Sequence, residues 1–203
     1  MKNYEIDLDQ IHDRCIDIPN REIYLHGIEM VLESADEAGY EPGVEYMMAV
    51  RFIKNLHILK DISEDPILVH MHTCGGNWSD GMAIYDAIKS MPYRVTIVSY
   101  THARSMSSLI LQAGDSRVLM PNSYFLIHWG ESGFEGTAPQ MVANAKHDEI
   151  IMGKMLDVYT ESSNVPRTKI KNMMDKRGDW IMMPDEAIDS GFADKIFTDW
   201  KEI

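Results

Sequence analysis

A serine, a histidine and a group of aspartates stand where they could do chemistry. Ser105 opens a predicted short helix over 105–113 that Gly114 closes. A hydroxyl at a helix start lies at the positive end of the dipole, beside N–H groups with no helical partner, and an oxyanion would be stabilised there too. Serine also stands at helix starts simply as a cap, so Ser105 alone is a weak signal. His128 ends the apolar run Tyr124–Ile127 and precedes Trp129-Gly130. Histidine is the usual base for a serine nucleophile, and a strand-end His is exposed at a sheet edge. The acid that would orient its imidazole has three candidates, Asp175, Asp179 and Asp185, in the stretch MMDKRGDWIMMPDEA. Spacing does not choose among them. The paired glycines Gly75-Gly76 let the backbone turn tightly and present free N–H groups.

Other combinations compete for these positions. His70, His72 and Cys74 alternate along one predicted strand, and period two puts all three on one face. Their types suit zinc, but no fourth ligand is evident. Cys74 paired with His72 as nucleophile and base lacks an orienting acid. His102 lies close to Ser105 and reads as a neighbour rather than the base.

The elements that must position these residues follow from the patterning. Glu22–Gly27 reads as a short strand and the acidic stretch 31–43 as a surface loop. In 44–62, Ala49, Phe52, Ile53, Leu56 and Leu59 recur at three- and four-residue spacing, which predicts a helix with one buried face. Strands are predicted at 67–72, 94–99, 117–120 and 124–127, and helices at about 80–91, 139–162, 166–174 and 184–191. The Gly-rich stretch GESGFEGT leads into the long helix. Alternation of strand and helix with short connections predicts an α/β fold with a mostly parallel sheet. In such folds the chemistry sits where strands end and helices begin.

Composition bounds the function classes. A chain of 203 residues is one domain of ordinary size, 45% hydrophobic and 25% charged. No apolar run approaches the roughly 18 residues that span a bilayer, so no membrane role is expected. Nineteen basic against 32 acidic residues leave a net charge of −13, which disfavours nucleic acid as a partner. Two cysteines cannot make a disulfide framework, and with no apolar leader in the first residues a cytoplasmic location is expected. No phosphate-binding P-loop is present, so the chain would not itself use ATP.

The stretch from Gly75 to Asp194 resembles the proteolytic subunit of the Clp protease, a family of serine peptidases. The pieces that carry the resemblance come in order: GGNWSDGMAIYDAI, ARSMSSLILQAG, PNSYFLIH, a long helix, and GDWIMMPDEAIDSGFADKI. The resemblance implies the Clp protease/crotonase type of fold. It makes Ser105 the nucleophile, His128 the base and Asp179 the orienting acid. It also makes the N–H groups of Gly76 and Met106 the two oxyanion donors. It implies a serine endopeptidase with no metal or cofactor of its own, working as two stacked heptameric rings with the active sites inside. The helix 139–162 would be the handle between rings. Residues 1–21 would form an N-terminal segment in the place of an axial loop, ahead of one peptidase domain over 22–203. Proteins would be fed by a hexameric ATP-driven unfoldase. A ring subunit without catalysis is the alternative reading. A thioester-binding member of the crotonase superfamily is another, but it would not need Ser and His at these places.

Several positions depart from the family pattern. Ser107 follows Met106 where a glycine is usual, and Arg104 directly precedes Ser105. Leu68, His70 and Ser90 occupy the positions of aromatic residues that line the family's docking pockets for the unfoldase. Arg177-Gly178 replaces an acid–Arg dipeptide that pairs the rings. The segment between Gly27 and Gly75 is longer than usual, with the excess assigned to the acidic loop.

Overall fold

The computed structural model describes residues 8–26 and 41–203. The start of the N-terminal segment, and the acidic loop expected at 31–43 as far as residue 40, lie outside the described residues. In order, the chain forms α1 (Leu8–Arg14), β1 (Ile16–Asp17), β2 (Glu22–His26), α2 (Tyr46–Ile62), β3 (Ile67–His72), α3 (Trp78–Lys89), β4 (Val95–Ser99), β5 (His102–Arg104) and α4 (Met106–Leu111). It continues through β6 (Ser116–Leu119), β7 (Tyr124–Ile127), α5 (Ala138–Ser162), α6 (Arg167–Arg177), β8 (Trp180–Met182), α7 (Pro184–Asp189) and β9 (Lys195–Ile196) to a terminal helical turn, Trp200–Glu202.

A six-stranded sheet runs in the order β1-β2-β3-β4-β6-β9, and only the β1–β2 pair is antiparallel. Every residue of its central strand β4 is buried, as expected where helices cover both faces of a parallel sheet. α2 buries Ala49, Phe52, Leu56 and Leu59, four of the five apolar residues predicted to face inward, while Ile53 is half-buried. α3 begins at Trp78 rather than 80 because the Asn77 side chain caps it, accepting from the Asp80 N–H at 3.1 Å.

The sequence patterning did not show the second sheet, β5-β7-β8. β5 and β8 have three residues each, too short for a period-two signal to register. β5 runs parallel to β7, and β8 runs antiparallel to it. Beneath this sheet Phe125 stacks on Phe192 at 5.1 Å, and Tyr159 and Trp180 meet Phe192 edge-on. The stretch 15–21, unpatterned in sequence, also joins the body: Cys15 and Ile16 are buried and β1 pairs with β2.

α5 starts at Ala138, with the Thr137 N–H donating to Gln140 Oε1 at 2.8 Å in a capping interaction. Its 25 residues are about 37 Å long. Only Met155, Leu156 and Tyr159 are fully buried. Met141 and Ala145 are exposed, so the first half of the helix projects from the domain. The Gly-rich segment ahead of it is irregular chain.

Candidate active site

The small sheet explains how residues far apart in sequence meet. Because β5 and β7 are parallel neighbours, both deliver their C-terminal ends to one edge, with Arg104 opposite Leu126. The next residue on β5 is Ser105, whose N–H donates to the Leu126 carbonyl at 3.3 Å. The antiparallel β8 brings its N-terminal end to the same edge, with Trp180 opposite Ile127. The residue after Ile127 is His128, and the one before Trp180 is Asp179. Their side chains meet there, with His128 Nδ1 3.5 Å from Asp179 Oδ1. Of the three aspartates, Asp179 is the one that lies beside His128. Asp175 is taken up elsewhere, accepting from Lys171 and from Trp129 Nε1 at 3.0 Å, which hold its carboxyl below the usual range. Asp185 lies on the exposed first turn of α7.

Ser105 sits at the tight junction from β5 into α4 with φ 52° and ψ −130°. Positive φ is uncommon for a residue with a Cβ and stores strain where a side chain must be presented. The same sharp strand-to-helix turn lifts a nucleophile clear of its backbone in unrelated hydrolases. The two serines that follow are structural. Ser107 is fully buried, donates to the Arg104 carbonyl at 2.7 Å and accepts from the Arg104 N–H at 2.9 Å. Ser108 Oγ donates to the Ser105 carbonyl and meets Tyr159 Oη, each at 2.6 Å. Ser107 in place of glycine therefore ties the turn rather than competing for the chemistry.

Gly75 and Gly76 pass directly beside Ser105. Their φ angles, +105° and +137°, lie where a Cβ is strained. A Cβ on Gly75 would come 2.6 Å from Ser105 Cβ and 2.9 Å from the Met106 nitrogen. Val44 forms a parallel bridge to Gly76: its N–H donates to the Gly75 carbonyl, and its own carbonyl accepts from Asn77 at 2.9 Å. In that pattern the Gly76 N–H faces away from Val44. Met106 is the first residue of α4, so its N–H has no helical acceptor. Neither N–H makes a hydrogen bond among the described residues.

Ser105, His128, Gly76 and Met106 line one cavity of about 480 Å³, walled on one side by α5. The link between Ser105 and His128 is open: His128 Nε2 is buried and has no hydrogen-bond partner among the described residues. Such bonds often tighten only when substrate binds.

A second polar cluster backs β5, and sequence reasoning underrated it. His102 is buried, and its Nε2–H donates to Glu41 Oε1 at 3.0 Å. Glu41 also lies 3.9 Å from Arg104 and 4.0 Å from His72, while Thr73 Oγ1 donates to the Pro42 carbonyl at 3.2 Å. The segment 41–44 therefore braces the glycine turn. No local pattern links Glu41 to His102 across so much chain; the composition of the acidic loop was the only available hint. Burial pushes the His102 pKa below its ordinary value, against the pull of Glu41. The folded state thus favours neutral His102. Its contribution to stability is present above the unfolded value near 6.5 and lost as pH falls through the lowered folded value. Denaturant midpoints should therefore drop as pH is lowered from about 7.5 to 5.5, and His102→Gln should flatten that slope. An unchanged slope in the variant would remove His102 from the account.

His70, His72 and Cys74 do not form a metal-holding group; among the described residues no such cluster exists. His70 instead contacts Tyr100 Oη at 2.8 Å and Glu22 at 3.2 Å, and stacks on Tyr24. His72 faces Thr101 at 2.8 Å. Leu68 lines a separate small cavity with Trp200 and Ile203, and the Trp200 ring lies 5.6 Å from His70. Sequence reading missed Trp200 at this pocket. Gly178 ends α6 with φ +72°, leaving Arg177 exposed.

A parallel-stranded α/β domain with a serine, a histidine and an aspartate at one edge of a small sheet has the layout of a serine hydrolase. A family model described as Clp protease matches residues 30–199. The chain is 31% identical over 162 residues to an ATP-dependent Clp protease proteolytic subunit of Deinococcus radiodurans, covering 78% of each. It is 30% identical over 164 residues to proteolytic subunit 2 of Pseudomonas aeruginosa, covering 79% of this chain and 80% of that one. Among solved structures, a ClpP1 mutant from Listeria monocytogenes superposes with a TM-score of 0.76 at 22% identity, over 91% of this chain and 95% of that one. The chain belongs to the Clp protease family. No helix among the described residues is long and apolar enough to cross a membrane.

Proposed function

We propose that the chain is a serine endopeptidase in which Ser105 attacks the scissile carbonyl carbon while His128 Nε2 takes the hydroxyl proton. Asp179 holds the imidazole in the tautomer that leaves Nε2 free and stabilises the imidazolium that forms. The oxyanion is met by the N–H groups of Gly76 and Met106, each worth about 10²–10³ in rate. Collapse of the tetrahedral intermediate breaks the C–N bond. His128 returns its proton to the leaving amine, and an acyl ester remains on Ser105. Water, deprotonated by the same imidazole, then releases the acid. No metal or cofactor takes part in this scheme.

Clp protease membership makes the chain a hydrolase subunit that acts on peptide or unfolded protein within an oligomer. Two stacked heptameric rings, with α5 between them, are the proposed form; the projecting first half of α5 supports it. An ATP-driven unfoldase would unfold folded substrates and feed them in, reading a docking surface that here carries Leu68, His70, Ser90 and Trp200.

The observation that carries the reading is the convergence of Ser105, His128 and Asp179 at one edge of the small sheet. The open contact at His128 Nε2 favours a second reading, a modulatory ring subunit without catalysis. A fluorophosphonate separates the two. The expected result is one label per chain, on Ser105, with hydrolysis of a short fluorogenic peptide that a chelator does not inhibit. No label in any oligomeric state would leave the modulatory reading standing.

A further inference from the structure

The wall of the cavity opposite Ser105 is one face of α5. Asp148, Ile151, Met152, Met155 and Tyr159 all line it; the last four follow Asp148 by three, four, seven and eleven residues, the repeat of one helical face. Tyr159 Oη is bonded to Ser108, so that end of the row lies nearest the nucleophile turn. Asp148 stands roughly 10 Å farther along the axis than Met155. The stretch between them is apolar, with Leu109 and Met106 facing it across the cavity.

Asp148 differs from its neighbours on the projecting half of the helix. It is half-buried, whereas every other residue from 138 to 150 is exposed. Its hydrogen bonds come from one hydroxyl, Ser132 Oγ, 3.0 Å from each carboxylate oxygen. A hydroxyl has a single proton, and a carboxylate can accept about four hydrogen bonds. No Lys or Arg lies within ion-pair distance of Asp148 among the described residues, and none lines the cavity. A second carboxylate, Glu131, lies on the same rim. The space beside the nucleophile therefore has an apolar strip of α5 along one wall and, at its rim, carboxylates with no basic partner among the described residues.

The geometry points to a preference for lysine or arginine on the acyl side of the scissile bond. This rests on the peptidase reading above and specifies its substrate. In the acyl-enzyme the substrate carbonyl carbon is bonded to Ser105 Oγ, so the adjoining side chain must enter the space next to Ser105. Long cationic side chains bury their methylene stems on apolar surface and keep the charged head at a polar mouth. Here the stem would lie against Met155, Met152 and Ile151, and the head would reach Asp148. Norleucine would lie along the same strip without engaging the carboxylate, and glutamate would be repelled by both acids.

The test uses the assembled wild-type protein and three fluorogenic peptides that differ only in the acyl-side residue: lysine, norleucine or glutamate. In low salt kcat/KM should favour lysine over norleucine by about five- to tenfold, chiefly through KM, with glutamate slowest. The preference should shrink as salt is added. Asp148→Asn should cut the lysine-to-norleucine ratio to about twofold or less, Asp148→Glu should restore it, and Asp148→Lys should raise glutamate above lysine. Equal or better cleavage of norleucine by a wild type that takes the fluorophosphonate on Ser105 overturns the preference and leaves the peptidase reading intact. A wild type that neither takes the label nor cleaves any of the three overturns both.

Discussion

Ser105→Ala and His128→Ala are each expected to lower kcat for a short peptide by about 10⁶, and the double variant is expected to be no worse than either. In the proposed scheme nucleophile and base act on one proton in one step, so removing either would remove the whole path. What remains is the acceleration from the oxyanion donors and binding. Asp179→Asn should cost less, on the order of 10⁴, because Asp179 acts only on the orientation and charge of the imidazole. Its carboxylate lies 3.5 Å from His128 Nδ1 and is more than half exposed, so water can take over part of that role. Ser107→Ala should act differently, through lost hydrogen bonds to the Arg104 backbone, with a stability cost of about 1–3 kcal/mol and a rate within about tenfold. Single-turnover kinetics and denaturant melts on the same preparations separate the two behaviours. Additive losses in the Ser105/His128 double variant would show that the two side chains do not work as a unit.

The second large effect is expected at Gly75, which does not line the cavity. In Gly75→Ala a methyl group would have to share space with Ser105 Cβ, 2.6 Å away, at a backbone φ of +105°. Neither neighbour can yield cheaply: Ser105 is held by the Leu126 carbonyl, and the glycine turn by Val44. The turn and the nucleophile should therefore move apart, taking the Gly76 and Met106 N–H groups out of register with the oxyanion. A displacement near 1 Å is enough to cost about 10² in kcat. The fluorophosphonate should label this variant more slowly by a similar factor while its circular dichroism stays native. Wild-type labelling by a folded Gly75→Ala protein would mean that the turn does not set the position of Ser105.

Much of this was legible in the residues. Periodicity placed α2, α3, α5 and the central strands, because each is long enough for its buried face to repeat. The ordered motifs around Gly76, Ser105, His128 and Asp179 pointed to one family, and the family match over 30–199 bears that out. The strand end, the glycine pair and the helix start were visible as a candidate site because each carries a local backbone requirement that only certain residues meet.

What lay beyond the sequence is what depends on pairing across distance. β5 and β8 have too few residues to signal themselves, yet their opposite directions beside β7 are what set Asp179, and neither Asp175 nor Asp185, next to His128. The brace from Glu41 to His102 joins groups 61 positions apart, and nothing in either neighbourhood announces the other. The same holds for Asp148, which in sequence is one more acid in a polar helix and in the fold is a carboxylate at the rim of the space beside Ser105. Residue types and the elements that carry them follow from propensity and hydrophobic period, which act locally. Which of those residues face one another follows from strand direction and register across a sheet, and these are settled by packing between distant segments.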